Sequence, residues 1–212
     1  MSNSKKNLID DGLADITIDP DVLAKELAVE LEIDPLDEID QDSFANDNLD
    51  IILACDKALK YLEGNREQRI QGLRIFCEYR DKRAFPLLLP LLEKPCPVER
   101  MSAVYALGRN PCPDAVSKLV HLLESDDNAY VRRATAWSLA NYDNQIVLKP
   151  LINALKNDVA SVRLWASSSL SEIGSISEKN AQSAAEQLII SLKIDNEPVV
   201  RSNCIWSLCR LY

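Results

Sequence analysis

Apolar and small residues recur along this chain at fixed distances from a series of arginines. The arginines are Arg69, Arg100, Arg132, Arg163 and Arg201, separated by 31, 32, 31 and 38 residues. Three positions after each arginine stands a small residue, and seven positions after it a large apolar one. A repeat of this length, with apolar residues at helical spacing, is typical of stacked helix pairs that bury their apolar faces against one another. The pattern therefore predicts an all-α fold, an α-solenoid of about five helix pairs.

Each predicted repeat contains a leucine-rich first helix, a short polar or proline turn, and a second helix that carries the arginine. The first helices are expected at residues 53–62, 85–92, 115–123, 147–155 and 186–192. Asp127 and Asp158, five residues before an arginine, are expected to cap second helices. The longer last interval, in the segment SISEKNAQSA, predicts a lengthened surface loop before the final pair.

The sequence of the second helices predicts which side of each helix is buried. At 100° per residue, positions −1, +3, +4 and +7 from the arginine share one side, and positions +2, +5 and +9 lie opposite. The first side is predicted to face the core and the second to face outward. We expect each arginine to bridge to an aspartate or a turn carbonyl of a neighbouring repeat, rather than to hold a ligand.

The outward side of the second helices carries all three tryptophans and is the best candidate for a binding surface. Trp, Tyr and Arg dominate protein interfaces, so we predict that a partner protein covers these side chains. The predicted partner-binding residues on the repeats are Tyr105, Trp137, Trp165, Trp206, Arg74 and Arg109. Charges of both signs at position +9, in Glu78, Arg109, Glu172 and Arg210, suit a protein better than a polyanion. The alternative is that the rings pack between adjacent repeats.

Residues 1–49 differ sharply in composition from the rest of the chain. They carry 14 acidic residues against 3 lysines, whereas residues 50–212 carry 19 acidic and 21 basic residues. We predict an acidic, mostly disordered leader at 1–49 and the repeat solenoid at 50–212. A short amphipathic helix is plausible at 20–32, because Asp19 can cap it and leucines recur there every four residues. Those leucines, Leu23, Leu27 and Leu31, either dock on a partner, cover the first repeat or belong to a fraying segment.

Candidate catalytic chemistry is sparse. The six cysteines form no Cys-x-x-Cys motif, and Cys96 and Cys112 flank a predicted helix that separates them by about 15 Å or more, too far to share one metal ion. The single histidine, His121, cannot build a histidine-rich metal centre. The chain shows no P-loop, dinucleotide fingerprint or nucleophile elbow. We therefore predict a protein that is not an enzyme and holds no metal or cofactor.

Charge and hydropathy also restrict the partners. A nearly neutral repeat region beside an acidic leader argues against nucleic acid. No apolar run approaches the ~18 residues of a membrane span, which argues against a membrane partner. The first residues lack the apolar core of a secretory signal, which predicts a cytoplasmic protein.

With the repeats in place, residues 65–212 resemble the short HEAT-like repeats of phycobilin lyases and their relatives. The segments VERMSAVYALGRNPCPDAV and YVRRATAWSLANY, with the acidic leader, more closely resemble cyanobacterial and plastid HEAT-repeat proteins that partner the A-type iron–sulfur carrier IscA. This resemblance implies an accessory protein in iron–sulfur cluster handling, in which the carrier supplies the cluster ligands. The alternatives are a phycobilin lyase subunit, a chaperone or degradation adaptor for a phycobiliprotein, and a general protein-interaction adaptor.

Overall fold

The repeat region is an all-α stack. A computed structural model describes the backbone of residues 41–211 and the side chains of residues 49–211, and Leu49–Tyr212 forms one compact unit. The described part contains ten α-helices and no strand. The helices are α1 (Gln41–Leu62), α2 (Arg66–Glu78), α3 (Phe85–Leu88), α4 (Pro97–Arg109), α5 (Val116–Ser125), α6 (Ala129–Leu139), α7 (Leu148–Asn157), α8 (Ala160–Gly174), α9 (Glu178–Ile194) and α10 (Pro198–Leu211). Short 3-10 turns at Lys82–Ala84, Leu89–Glu93, Pro113–Ala115 and Gln145–Val147 complete the first helices of repeats two to four.

The five predicted helix pairs are confirmed. The second helices α2, α4, α6, α8 and α10 pack against one another in chain order, and the last four each also contact the first helix of their own repeat. In the first repeat, Gly72 of α2 lies against Ala58 and Leu62 of α1. The predicted core side is confirmed in the middle repeats: Val131, Thr135 and Leu139 of α6 have no exposed surface. None of the helices within residues 41–211 is long and apolar enough to cross a membrane.

Four of the five arginines join neighbouring repeats, as the sequence predicted. Arg132 donates from Nε and Nη2 to the carboxylate of Asp158 in the next turn, both at 2.8 Å, and from Nη1 to the carbonyl of Asp126 in its own turn at 2.7 Å. Arg69, Arg100 and Arg163 make the same two kinds of contact. The carboxylate partners of the four arginines are Glu99, Asp126, Asp158 and Asp195. This series, which we call the arginine ladder, locks each interhelix turn to the next.

The ladder favours the ionised form of two of its carboxylates, Asp126 and Asp195. The hydrogen bond from Arg163 lowers the pKa of Asp195 despite the opposing effect of burial. At Asp126, burial alone would raise the pKa, but the hydrogen bonds from Arg100 and from the backbone of Asn128 outweigh it and the pKa is lowered. Asp126 and Asp195 are therefore charged at neutral pH.

The predicted cap at Asp127 is wrong. The Asn128 side chain caps α6 by accepting hydrogen bonds from the backbone of Tyr130 and Val131. The acid that serves the ladder in this turn is Asp126, whose Oδ1 also accepts from the backbone of Asn128 at 2.9 Å. The helix begins at Ala129, so its cap position is Asn128 and not Asp127. Asp158 does not cap α8 either, because the cap position is Val159; Asp158 ends α7 and holds Arg132.

Two helix starts also differ from the sequence prediction. The extra residues of the last repeat extend a helix rather than a loop, since α9 begins at Glu178 with Ser177 accepting a hydrogen bond from the backbone of Asn180. Its first turns contain no glycine or proline, so nothing in them stops a helix. The first helix begins at Gln41, earlier than the expected residue 53. Residues 41–49 of the predicted leader belong to α1, whereas residues 1–40, with the helix predicted at 20–32, lie outside the described part of the chain.

Candidate partner-binding site

Two of the predicted residues, Trp165 and Trp206, line one groove on the outer side of the last two second helices. The groove has a volume of about 490 Å³ and lies between α8 and α10. Its lining consists of Leu164, Trp165, Ser168, Val199, Ser202, Asn203 and Trp206. The exposed fractions of Trp165 and Trp206 are 37% and 47%, and that of Val199 is 55%. We call this feature the tryptophan groove.

The groove is fixed by hydrogen bonds between its two helices. The Asn203 amide on α10 donates to the carbonyl of Leu164 at 3.0 Å and to the hydroxyl of Ser167 at 2.7 Å, both on α8. Small side chains at Ser168 and Ser202 leave the space that the tryptophan rings border. The indoles are therefore held on helices whose spacing is fixed, so little ordering is needed when a partner binds.

The other two predicted aromatic residues form a separate and more buried pair. The rings of Tyr105 and Trp137 lie 5.3 Å apart at an interplanar angle of 54°, and both side chains are half-buried. The Trp137 ring also covers Gly108, where an added Cβ would lie only 2.5 Å from Trp137 Cζ3. This pair therefore packs between repeats, the alternative that the sequence left open.

The two predicted arginines, Arg74 and Arg109, do not line the tryptophan groove. Arg74 is exposed on α2 at the far end of the stack, and Arg109 is exposed on α4, where its Nε donates to the carbonyl of Glu78 at 3.1 Å. Beside the groove, Arg210 lies over the ring of Trp206 at 4.7 Å and pairs with Glu172 at 2.6 Å. That pair neutralises its own charge at the rim of the groove. The sequence placed Arg210 at the rim but did not pair it with Trp206.

The leader residues Leu23, Leu27 and Leu31 lie outside the described part of the chain, so their docking role stays a prediction.

The cysteines are distributed without a shared centre. Cys96 is the residue before α4 and Cys112 is buried beyond its other end. No group of three or more His, Cys, Asp or Glu side chains within the described residues is arranged to hold a metal ion. Burial raises the pKa of the Cys77 and Cys204 thiols to about 11, so both stay protonated at neutral pH. These two side chains serve as packing.

Comparison with solved structures finds the same architecture in other repeat proteins. The complex of CpcE and CpcF of phycocyanin lyase from Nostoc sp. PCC7120 contains a chain that is 20% identical, with a TM-score of 0.62, over 74% of this chain and 98% of the other. A designed armadillo repeat protein in complex with the peptide (KR)4 is 19% identical, with a TM-score of 0.57, over 73% and 80% of the two chains. At this identity the likeness concerns the fold. A search of curated protein sequences finds no match.

A family model identifies the repeats. The HEAT-repeat family model matches residues 56–140 and 116–209, together most of the chain and all of the arginine ladder. The chain therefore belongs to the HEAT-repeat family.

Proposed function

We propose that this protein is a non-catalytic scaffold that binds a partner protein in the tryptophan groove. The observation that carries the proposal is the pair of exposed indoles, Trp165 and Trp206, on two adjacent helices that border one groove. Large exposed aromatic side chains on a rigid surface are the residues that most often dominate binding energy. The neighbouring Tyr105–Trp137 pair, being half-buried, contributes mainly to repeat packing.

The charges around the groove favour a protein over a polyanion. Arg210 is the cation that contacts the groove, and its partner Glu172 compensates its charge. A phosphate backbone needs several uncompensated basic groups along its path. A mostly apolar patch with a neutral polar rim is instead the composition of a protein interface.

Two hypotheses name the class of partner protein. The likeness to a chain of the CpcE–CpcF complex favours a phycobiliprotein as the partner and a role as a phycobilin lyase subunit or phycobiliprotein chaperone. The second hypothesis, an accessory protein for an A-type iron–sulfur carrier, rests on the sequence resemblance alone. Both place the reactive group on the partner and leave this chain the task of holding it.

Binding to defined probes distinguishes these hypotheses. The full-length chain would be titrated separately with purified apo-phycocyanin, with and without phycocyanobilin, and with a cluster-loaded A-type carrier. We expect saturable binding of apo-phycocyanin, and a shifted bilin absorption band if the chain presents the chromophore. Binding of the carrier alone would instead support the iron–sulfur hypothesis, and binding of neither would leave a general adaptor.

A matched set of variants tests the groove. Trp206→Ala should weaken binding by about 2 kcal/mol while leaving the free energy of unfolding within about 1 kcal/mol of the parent. Tyr130→Ala is the control, because Tyr130 is also an exposed aromatic residue, 64% accessible, but lies outside the groove. Equal effects of the two substitutions on binding would refute the groove as the site.

A further inference from the structure

The last repeat carries an apolar residue at a position that all earlier repeats bury. Four positions after the ladder arginine, Leu73, Val104 and Ala136 have no exposed surface, and neither does Ser167, whereas Ile205 is 51% exposed. The second helix of the next repeat packs over these positions. The Ser169 hydroxyl donates to the carbonyl of Ala136 at 2.7 Å, and the Asn203 amide donates to the hydroxyl of Ser167 at 2.7 Å. Ile205 has the character of a stacking residue, and no helix among the described residues covers it.

Other residues of the last repeat continue this surface. Ile189 on α9 is 42% exposed, and it occupies the position of the half-buried Ile152 in the preceding first helix. Cys209 on α10 is exposed at the position where Gly108 and Ser171 are buried. Together Ile189, Arg201, Ile205 and Cys209 define what we call the end face. It is separate from the lining of the tryptophan groove.

The charge of Arg201 indicates which group of a partner the end face binds. Arg201 donates from Nη1 to the carbonyls of Asp195 and Asn196 at 2.8 and 3.2 Å, as every ladder arginine does within its own turn. The four earlier arginines also pair with a carboxylate of the following repeat, which lies in its interhelix turn for three of them and in the first turn of α4 for Arg69. Among the described residues Arg201 has no such partner. Arg201 is thus oriented by its own turn, with Nε and Nη2 available to a carboxylate at the position that a following interhelix turn would occupy.

The register argues against a second copy of this chain stacking head to tail on the end face. Six positions after the ladder arginine, repeats that stack on a preceding repeat carry a small buried residue, namely Ala106, Ser138, Ser169 and Ser207. The first repeat has Ile75 there, and the exposed Gln71 beside it. The larger side chain of Ile75 would hold the first repeat of one copy away from the last repeat of another, since close stacking depends on a small residue at this position.

We propose that the end face binds a helix pair of a different α-helical repeat protein, which continues the stack and supplies an Asp or Glu to Arg201. The partner presents an acidic interhelix turn and, opposite Ile205, a small residue. A bidentate arginine–carboxylate pair fixes the register of the stacking, and Ile189 and Ile205 supply the apolar contact. This interaction uses none of the residues that line the tryptophan groove.

Site-specific photo-crosslinking tests the proposal with the full-length chain. Ile205→p-benzoylphenylalanine, and as control Gln71→p-benzoylphenylalanine, would be irradiated in native extract and the crosslinked peptides mapped by mass spectrometry. We expect a crosslink from position 205, but not from 71, to an interhelix turn of another helical repeat protein. A crosslink to a second copy, to this chain's own first 48 residues or to a non-helical segment would overturn the proposal, as would the absence of any crosslink.

The charge pair is tested on the partner so identified. Arg201→Gln should raise the dissociation constant by about tenfold or more, the scale expected for a paired interfacial charge. Arg201→Asp should abolish binding, and replacing the partner's acidic residue by arginine should restore it. Circular dichroism of each variant confirms that the fold is retained. An unchanged dissociation constant for folded Arg201→Gln would refute the role assigned to Arg201.

Discussion

Replacing one ladder carboxylate should destabilise the protein far more than replacing an exposed one. In the parent, the two carboxylate oxygens of Asp158 accept hydrogen bonds from Nε and Nη2 of Arg132, both at 2.8 Å. Asp158→Asn keeps one acceptor oxygen but removes the other and the negative charge. The Asp158 and Arg132 side chains are only 11% and 18% exposed, so water replaces the lost hydrogen bonds poorly. Removing one partner of such a pair leaves an uncompensated charge, and we expect a loss of about 2 kcal/mol, below the 3–5 kcal/mol of a fully buried pair.

Glu93→Gln is the matched control for this prediction. Glu93 pairs with Lys118, also between neighbouring repeats, but their side chains are 70% and 43% exposed. Such exposed pairs contribute about 0–1 kcal/mol. Urea titration followed by circular dichroism and by tryptophan fluorescence gives both unfolding free energies. A cost for Asp158→Asn no larger than that for Glu93→Gln would refute the view that the ladder holds the repeats together.

The remaining predictions concern pH, packing and thiol reactivity. The hydrogen bond from Arg163 lowers the pKa of Asp195 from 3.8. The ionised carboxylate therefore stabilises the folded state above pH 3.8, and this stabilisation is lost as the pH falls through the lowered pKa. The urea midpoint should drop more between pH 5 and 3 in the parent than in Asp195→Asn. Trp137→Ala should cost about 3 kcal/mol of unfolding free energy in urea titration, because it removes a ring packed on a glycine of the preceding repeat. The thiol of Cys96 should react with iodoacetamide at neutral pH well before that of Cys77, as followed by site-resolved mass spectrometry, since backbone hydrogen bonds lower its pKa whereas burial raises that of Cys77.

The repeat architecture was largely predictable because it depends on positions that recur. The spacing of the arginines fixed the helix pairs, and the role of Arg132 and its equivalents followed from the need to join neighbouring turns. The acid at Glu99 was missed because it precedes Arg100 directly, in the position where later repeats have valine. The helix start at Glu178 was missed because an insertion in a repeat pattern looks the same whether it lengthens a loop or a helix.

The binding surface was less predictable, because exposure depends on what the neighbouring repeat contributes. Trp137 and Trp206 occupy the same position relative to their arginines, yet Trp137 rests on Gly108 of the preceding repeat, while Trp206 borders an open groove. The sequence contained a signal for this difference, since a glycine eight residues after Arg100 makes room for a large ring. The contact between this glycine and Trp137 can be predicted only when the offset between adjacent second helices is known.

The central claim, that the tryptophan groove binds a protein, is tested most directly by comparative affinity capture. The immobilised full-length chain, a Trp165→Ala/Trp206→Ala variant and the Tyr130→Ala control would each be incubated with native extract, and the bound proteins quantified by mass spectrometry. The account predicts a protein retained by the parent and by Tyr130→Ala but reduced about tenfold or more by the double variant, with all three chains equally folded by circular dichroism. Equal retention of every bound protein by the parent and the double variant would contradict it.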